Sequence, residues 1–277
     1  SAASPTIKVG GVDLAIARGS SPAAITKAAV ETLGGMGRFV KPGSRVVIKP
    51  NLAFPNKPEY AATANPEVVG TLVALCMAAG AGSVTVFDNP VSSPSVVYDV
   101  TGIKDAVEKA GGKVVVMSRL KFVDTVIPNG KAIKKWPIYE DVLKADVLID
   151  VPIAKHHNLA GLTMGIKNLM GTIGGDRSNI HSNIGQSLAD LASAIPVHLT
   201  VIDAVRILVR NGPTGGNLRD VEQRDTIIAS SDIVAADAYG ATLFGKTGAD
   251  LAYIKAADAM GLGKMDYKQL GVKEVRL

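Results

Sequence analysis

Short apolar runs of strand length alternate along this chain with segments in which apolar residues recur at a helical period. The runs predict strands at 45–49, 83–87, 113–117, 146–151, 199–202, 226–229 and 272–276. Helices are predicted at 22–33, 66–79, 103–110, 184–194, 233–244 and 251–260; Ser21-Pro22 and Asn65-Pro66 are start signals. Strands that alternate with helices form parallel sheets. The pattern therefore predicts an α/β fold, with a mainly parallel sheet covered by helices on both faces.

Two segments depart from this alternation. Residues 122–127 and 131–136 flank Pro128-Asn129-Gly130, which is a hairpin signal, so an antiparallel hairpin excursion is predicted there. Residues 7–16, around Gly10-Gly11, predict an opening strand or hairpin. Because no long linker, repeat or low-complexity block follows, we expect a single α/β domain over 1–277, with two lobes as the alternative.

The composition narrows the classes of ligand. Of the 277 residues, 47% are hydrophobic and 20% charged, which is ordinary for a globular protein. Aromatic residues make up only 4%, and the net charge of +5 is scattered, so a nucleic-acid groove is not expected. No apolar stretch is long enough to span a membrane, at about 18 residues. The positive charge favours small anionic ligands.

The single cysteine, Cys76, lies in an apolar helical run and is expected in the core. One cysteine excludes a disulfide within the chain and an iron–sulfur cluster held by this chain alone. The first residues, Ser1-Ala2-Ala3-Ser4-Pro5, fit either the stump of a cleaved export signal or an expression scar. The sequence leaves open a periplasmic or a cytoplasmic location.

The segment 151–171, VPIAKHHNLAGLTMGIKNLMG, has the densest candidate chemistry. Lys155, His156 and His157 follow a predicted buried strand that ends at proline, and a segment rich in small residues then brings Lys167 and Asn168. Ligands in open α/β sheets bind at the carboxyl ends of strands, so an active-site loop is predicted. The alternative is a charged turn before an ordinary helix. Because adjacent histidines point in different directions, we expect at most one to enter the site and favour His156, which is closer to the strand end.

Polar residues also follow other predicted strands. Lys49 and Asn51 follow 45–49, where a lysine can hold a phosphate or carboxylate and an asparagine can orient it. Asp88 and Asp203 each follow an apolar strand, as in metal and phosphotransfer sites, although either aspartate could instead form a turn with its own backbone.

Two loops complete the predicted site. His181, in a polar loop, could be a metal ligand or a general acid or base. The glycine-rich loop 211–216 would let backbone N–H groups at Gly215 and Gly216 approach an anion, although it lacks the Gly-Lys-Ser/Thr ending of a P-loop.

These residues define three predicted roles. Catalysis is assigned to Lys155, His156, Lys167 and His181; ligand or cofactor binding to Lys49, Asn51, Asn168, Gly215 and Gly216; and metal binding to Asp88, His156 and Asp203. The first hypothesis is an enzyme with a divalent metal ion or an anionic cofactor that acts on a small anionic substrate. The second is a non-catalytic anion-binding module, or an accessory subunit of a redox complex. A homo-oligomer and a redox partner are both open as assemblies.

The assembled motifs resemble the family called domain of unknown function 362. The similar segments are 46–52 (VVIKPNL), 64–69, 81–88, 151–156, 164–171, 199–203 (LTVID), 211–216 (NGPTGG), 231–237 and 261–263, together with His181. The resemblance implies an α/β fold and a shared site without a settled reaction. It also suggests an oxidoreductase-associated or isomerase-type enzyme. Many relatives look like iron–sulfur proteins or carry twin-arginine export signals, and this chain lacks their cysteines. The strand-and-loop pattern is also similar, by analogy of fold, to that of nickel-dependent lactate racemases.

Overall fold

Ten of the twelve strands found in residues 11–277 form one mixed sheet, and the other two form a separate hairpin. The computed structural model describes residues 11–277, so the predicted strand or hairpin at 7–16 lies partly outside the described residues. The strands are β1 (Leu14–Arg18), β2 (Arg45–Pro50), β3 (Ser83–Val86), β4 (Lys113–Val114), β5 (Phe122–Val126), β6 (Lys135–Tyr139), β7 (Val147–Val151), β8 (Ile153–His157), β9 (Gly161–Thr163), β10 (Leu199–Leu208), β11 (Val221–Ser230) and β12 (Val272–Arg276).

Parallel contacts predominate in the large sheet, as predicted. Its order is β12-β1-β11-β10-β7-β2-β3-β4, with β8 pairing to β10 and β9 pairing to β8. The run from β10 to β4 is parallel throughout. Strand β11 is antiparallel to both of its neighbours, and β9 is antiparallel to β8.

The described α-helices are α1 (Pro22–Thr32), α2 (Pro66–Ala78), α3 (Pro94–Val100), α4 (Ile103–Lys109), α5 (Glu140–Lys144), α6 (Gly165–Asn168), α7 (Ile184–Ala194), α8 (Ile233–Thr242) and α9 (Ala252–Ala259). Helices α1 and α2 begin where their capping residues predict. Ser21 Oγ accepts a hydrogen bond from the Ala24 N–H at 3.3 Å, and Asn65 Oδ1 accepts from the Glu67 N–H at 2.9 Å. Both bonds satisfy first-turn donors that the helix itself leaves unpaired. Among the described helices, none has both the length and the apolar character needed to cross a bilayer.

Alternation along the strands divides the core between the two faces of the sheet. Val46 and Ile48 of β2 face one apolar cluster, which includes residues of α1, α2 and α4. Val47 between them faces a second cluster, which includes residues of α7, α8 and α9. Helices therefore cover both faces, which confirms that prediction.

The predicted hairpin is present, but its second strand starts later than expected. Strands β5 and β6 pair antiparallel from Phe122 opposite Tyr139 to Val126 opposite Lys135. The backbone N–H groups of residues 131–133 donate to Oδ2 of Asp190, at 2.9, 2.6 and 2.8 Å. Because these donors serve one buried carboxylate, residues 131–133 do not form ladder bonds.

Two further expectations about strand ends were wrong. After Pro152 the chain re-enters the sheet, so Lys155, His156 and His157 lie on strand β8 and not in a loop. Strand β8 runs parallel to the second half of β10, with Ile153 opposite Asp203. Asp203 is consequently in the middle of a ten-residue strand and not at its end.

Candidate anion-binding site

A cavity of about 290 Å³ lies beside the carboxyl ends of β2 and β3, and strand β8 and helix α6 contribute side chains to it. Seven of the predicted site residues line it: Lys49, Asn51, Asp88, Lys155, Lys167, Asn168 and His181. They come from segments far apart in sequence, and β2 with its parallel neighbours brings several of them to one edge of the sheet.

A buried ion pair forms part of the cavity wall. Lys49 Nζ lies 3.0 Å from Asp88 Oδ1, and the two side chains are 1% and 3% exposed. Asp88 also accepts hydrogen bonds from the backbone N–H groups of Leu52, at 2.7 Å, and Asn89, at 2.8 Å. A buried ion pair is tolerated only when its remaining donors and acceptors are satisfied. These bonds satisfy the Asp88 carboxylate, which therefore holds the cavity wall together and is not free to bind a ligand.

Asn168 connects this pair to the rest of the site. Its Oδ1 accepts from Lys49 Nζ at 2.6 Å and from Asn51 Nδ2 at 3.1 Å. Its Nδ2 donates to Asp150 Oδ1 at 2.8 Å. The amide therefore holds β2, β7 and α6 together under the cavity.

Lys155 is buried without a carboxylate partner among the described residues. Its Nζ donates to Ala62 O at 2.6 Å and to Asn51 Oδ1 at 3.2 Å, and it lies 5.1 Å from the centroid of the Phe54 ring. Desolvation, followed by the charge of Lys167, lowers the pKa of Lys155 to about 7. The pKa of this amine is thus brought close to physiological pH.

A lysine buried in a segment rich in small residues is costly unless an anion meets it, so the sequence predicts that the Lys167 ammonium faces the cleft with Asp88, Asp203 or a bound anion as its partner. The side chain is half-buried and lines the cavity, but within residues 11–277 it makes no hydrogen bond or ion pair. Asp88 is taken by Lys49, and Asp203 is not in the cavity wall. Desolvation, followed by the charges of Lys49 and Arg177, lowers the pKa of Lys167 to about 8. Of the three predicted partners, a bound anion remains as the proposal.

Gly165 is the first residue of α6 and packs closely against Asp237 and Ile233. The N–H groups of Gly165 and Ile166 donate to the two carboxylate oxygens of Asp237, at 2.6 and 2.9 Å. A Cβ atom at position 165 would stand 2.9 Å from both Asp237 Oδ1 and a side-chain carbon of Ile233. The glycine therefore serves tight packing beside α8, and burial raises the pKa of Asp237 to about 7.

The structure places His157 in the cavity wall, rather than the favoured His156. Strand alternation explains the difference, because Lys155 and His157 share one face of β8 while His156 faces the other way. The Nδ1 atom of His156 accepts from the Gly212 N–H at 3.2 Å.

His157 is held as a neutral donor. Its Nδ1 accepts from the N–H groups of Leu159, at 3.1 Å, and Ala160, at 3.2 Å. Desolvation, followed by the charge of Lys167, lowers the pKa of His157 to about 3. These partners assign the ring proton to Nε2 and leave an N–H donor for the cavity.

The predicted metal set is not brought together. Asp203 accepts at Oδ2 from the Asn65 N–H, at 2.7 Å, and at Oδ1 from the Val205 N–H, at 3.0 Å, so it forms the turn weighed as its alternative role. Among residues 11–277 no group of three His, Cys, Asp or Glu side chains could hold a metal ion. Asp88, His156 and Asp203 therefore do not form a metal centre in the described chain.

Gly215 and Gly216 also lie outside the cavity wall, to which their loop contributes only Pro213. Two other residues were missed by sequence reasoning. Arg177, in the polar loop with His181, lines the cavity and donates from Nη1 to Asn89 O at 3.0 Å. Asp150 has a buried Oδ2 atom without a hydrogen-bond partner, and burial raises its pKa well above the usual range. The sequence did contain a signal for Asp150, because a carboxylic acid inside an otherwise apolar strand indicates a buried polar site.

The fold and site define a class: an α/β protein with a cation-lined cavity at strand ends. The chain belongs to the family described as Domain of unknown function (DUF362), whose model matches residues 46–242. That range contains every cavity residue discussed above, and the match confirms the resemblance seen in the motifs.

Two similar proteins add context. A thylakoid-associated protein of Synechocystis sp. is 30% identical over 222 residues, covering 75% of this chain and 65% of that protein. The chain thus spans slightly less than two thirds of that relative. The lactate racemase apoprotein from Thermoanaerobacterium thermosaccharolyticum has a TM-score of 0.52 and 14% identity, covering 84% of this chain and 56% of that one. At 14% identity this likeness shows only that the folds are similar. It confirms the similarity of fold that the sequence pattern indicated.

Proposed function

We propose that the cavity binds a small anionic ligand, a carboxylate or a phosphate, and that the protein acts on it as an enzyme. The observation that carries this proposal is the charge of the cavity wall. Lys49, Lys155, Lys167 and Arg177 line it, while Asp88 is its one acidic residue within the described chain and is bound to Lys49.

An anion would remove the main electrostatic cost of this arrangement. Buried ammonium groups without counter-charges are unfavourable, and here their mutual repulsion adds to the lost hydration. An oxyanion beside Lys167 and Arg177 would supply the missing counter-charge and favour the charged form of Lys167. The Nε2–H group of His157 would give it a neutral donor, and the volume suits a small molecule.

The lowered pKa of Lys155 supports catalysis over simple capture. A general base works best with a pKa near the working pH, and the pKa of Lys155 is lowered to about 7 in a buried cavity. Proton transfer next to a carbonyl or carboxylate, as in an isomerase-type reaction, is the chemistry that such an amine supports. Binding of the anion without any turnover would instead favour the non-catalytic module.

The binding test uses oxalate and inorganic phosphate as probes in titration calorimetry. We expect Lys167→Ala to weaken binding of the preferred probe roughly 10- to 100-fold, since a charge-assisted hydrogen bond contributes about 1.5–3 kcal/mol. The thermal midpoint should not fall, because Lys167 makes no ion pair or hydrogen bond with the described residues. The matched control is Lys109→Ala, an exposed lysine on α4. An unchanged affinity in Lys167→Ala, or no binding of either probe to the wild type, would contradict the proposal.

The affinity for the probe should fall as the pH rises from about 7 to 9. The pKa values of the two cavity lysines, lowered to about 7 and about 8, mean that both lose their charge over this range. Binding near pH 8 should take up protons, which calorimetry in buffers of different ionisation enthalpy measures.

The stability of the unliganded protein should change with pH in the opposite direction to the affinity. Between the lowered pKa values and the ordinary value of 10.5 the unfolded chain binds more protons, so stability rises with pH. A pH-independent affinity would exclude these lysines as the anion's partners.

A further inference from the structure

We propose that Lys155 is a nucleophile that condenses with the carbonyl carbon of a small anionic aldehyde or ketone, such as a 2-oxo acid, and forms an imine. This inference rests on the proposed function, because the same cavity must hold the anionic group. It adds covalent chemistry to Lys155, which anion binding alone does not require.

The hydrogen bonds of Lys155 suit a neutral amine. A neutral amine has two hydrogens and one lone pair, and Nζ has two acceptors in place, Ala62 O at 2.6 Å and Asn51 Oδ1 at 3.2 Å. With both hydrogens donated, the remaining tetrahedral position holds the lone pair. Lys155 lines the cavity, and the proposal requires this position to face a ligand bound there.

The surroundings also disfavour the ammonium form. The side chain is 1% exposed, and its hydrogen-bond partners are two neutral acceptors rather than a carboxylate. Lysines become nucleophilic when they are desolvated or stand near another cation, and Lys155 meets both conditions. Lys49, by contrast, is bonded to the Asp88 carboxylate and to Asn168.

The rest of the cavity can orient the carbonyl compound. Lys167 and Arg177 carry the charge that a carboxylate needs, and neither is bound to a carboxylate in the described residues. His157 is two residues from Lys155 on the same face of β8, and its Nε2–H group can donate to the carbonyl oxygen. Such a donor polarises the carbonyl and stabilises the negative charge that develops on oxygen.

The reaction balances without an added oxidant or reductant. The Nζ lone pair attacks the carbonyl carbon, the C–N bond forms, and the carbonyl π electrons move to oxygen. Transfer of a proton from nitrogen to oxygen gives the carbinolamine. Loss of the hydroxyl group as water, with one proton taken up, leaves a protonated imine whose positive charge faces the bound carboxylate.

Trapping with pyruvate and sodium borohydride tests this proposal on the wild-type chain of 277 residues. Borohydride supplies the hydride that converts the imine to a stable secondary amine. We expect intact-mass spectrometry to show one reduced pyruvate per chain, and peptide mapping to place it on Lys155. Labelling should saturate with pyruvate concentration, and excess oxalate should suppress it, because oxalate occupies the anion site without offering a carbonyl carbon that condenses.

Two variants sharpen the test. Lys155→Arg keeps a long basic side chain but cannot form the imine, so it should lose the adduct, whereas Lys109→Arg should keep it. Should Lys155→Arg fail to fold, the mapped adduct and its suppression by oxalate still decide the question in the wild type. Oxalate binding without an adduct at Lys155 overturns the imine and leaves the proposed function standing. Absence of both overturns both, and labelling spread over surface lysines without saturation also overturns the imine.

Discussion

Asp88→Asn is expected to lower the free energy of unfolding by about 3–5 kcal/mol, the usual cost of removing one member of a buried ion pair. The side chain of Lys49 is 1% exposed, and Asp88 is its ion-pair partner at 3.0 Å. An asparagine of similar shape would leave the ammonium buried without a counter-charge. Equilibrium unfolding in urea measures the change.

The control is Asp124→Asn, which removes an equally direct pair with Lys135 on the exposed hairpin, where the two side chains are 64% and 57% exposed. That variant should not change stability measurably, because exposed pairs contribute little. Combining Asp88→Asn with Lys49→Met should recover part of the loss, since the stranded charge is gone. If Asp88→Asn were as stable as the wild type, the ion pair between Lys49 and Asp88 would not stabilise this cavity wall.

Gly171→Ala is expected to cost at least about 3 kcal/mol and to abolish oxalate or phosphate binding. A Cβ atom at this position would overlap Asp88 Oδ1 and stand 2.5 Å from Lys49 Cε. The added methyl group must therefore push the ion pair apart or displace the backbone after α6. Unfolding in urea and calorimetric titration with the two probes measure the two losses.

Gly37→Ala is the matched control, because a Cβ atom there would meet nothing within 4 Å. Gly37 is exposed and does not line the cavity. Its alanine variant should unfold and bind like the wild type. Normal stability and binding in Gly171→Ala would show that the close approach over Lys49 and Asp88 is not required.

The cavity gives lysines that are close in space different environments. Lys49 has a carboxylate and an amide oxygen as partners, Lys155 has two neutral acceptors, and Lys167 has no hydrogen-bond partner among the described residues. Lys49 thus stabilises the cavity wall. Lys155 and Lys167 have the lowered pKa values that suit ligand binding and proton or carbonyl chemistry.

The sequence by itself determined the layered α/β architecture. Its evidence was local: apolar runs of strand length, helical periods between them, and caps such as Ser21-Pro22 and Asn65-Pro66. The same local evidence brought Lys49 and Asp88 into the predicted site, because a polar residue directly after an apolar run marks the end of a strand. The family followed from motifs in order along the chain.

Only the tertiary structure decided which residues meet. Whether a strand stops or continues depends on the strands that pair with it, which are far away in sequence. Strand β10 continues past Asp203 because it pairs with β8 and β11. Residues Lys155–His157 form a strand because they pair with β10 and β9. That pairing fixed the alternation and put His157, not His156, in the cavity wall. It likewise decided that Asp88 neutralises Lys49 and not Lys167. Local pattern records the spacing of residues along one chain segment, whereas charge pairing and desolvation depend on distances between segments that only the packed sheet sets.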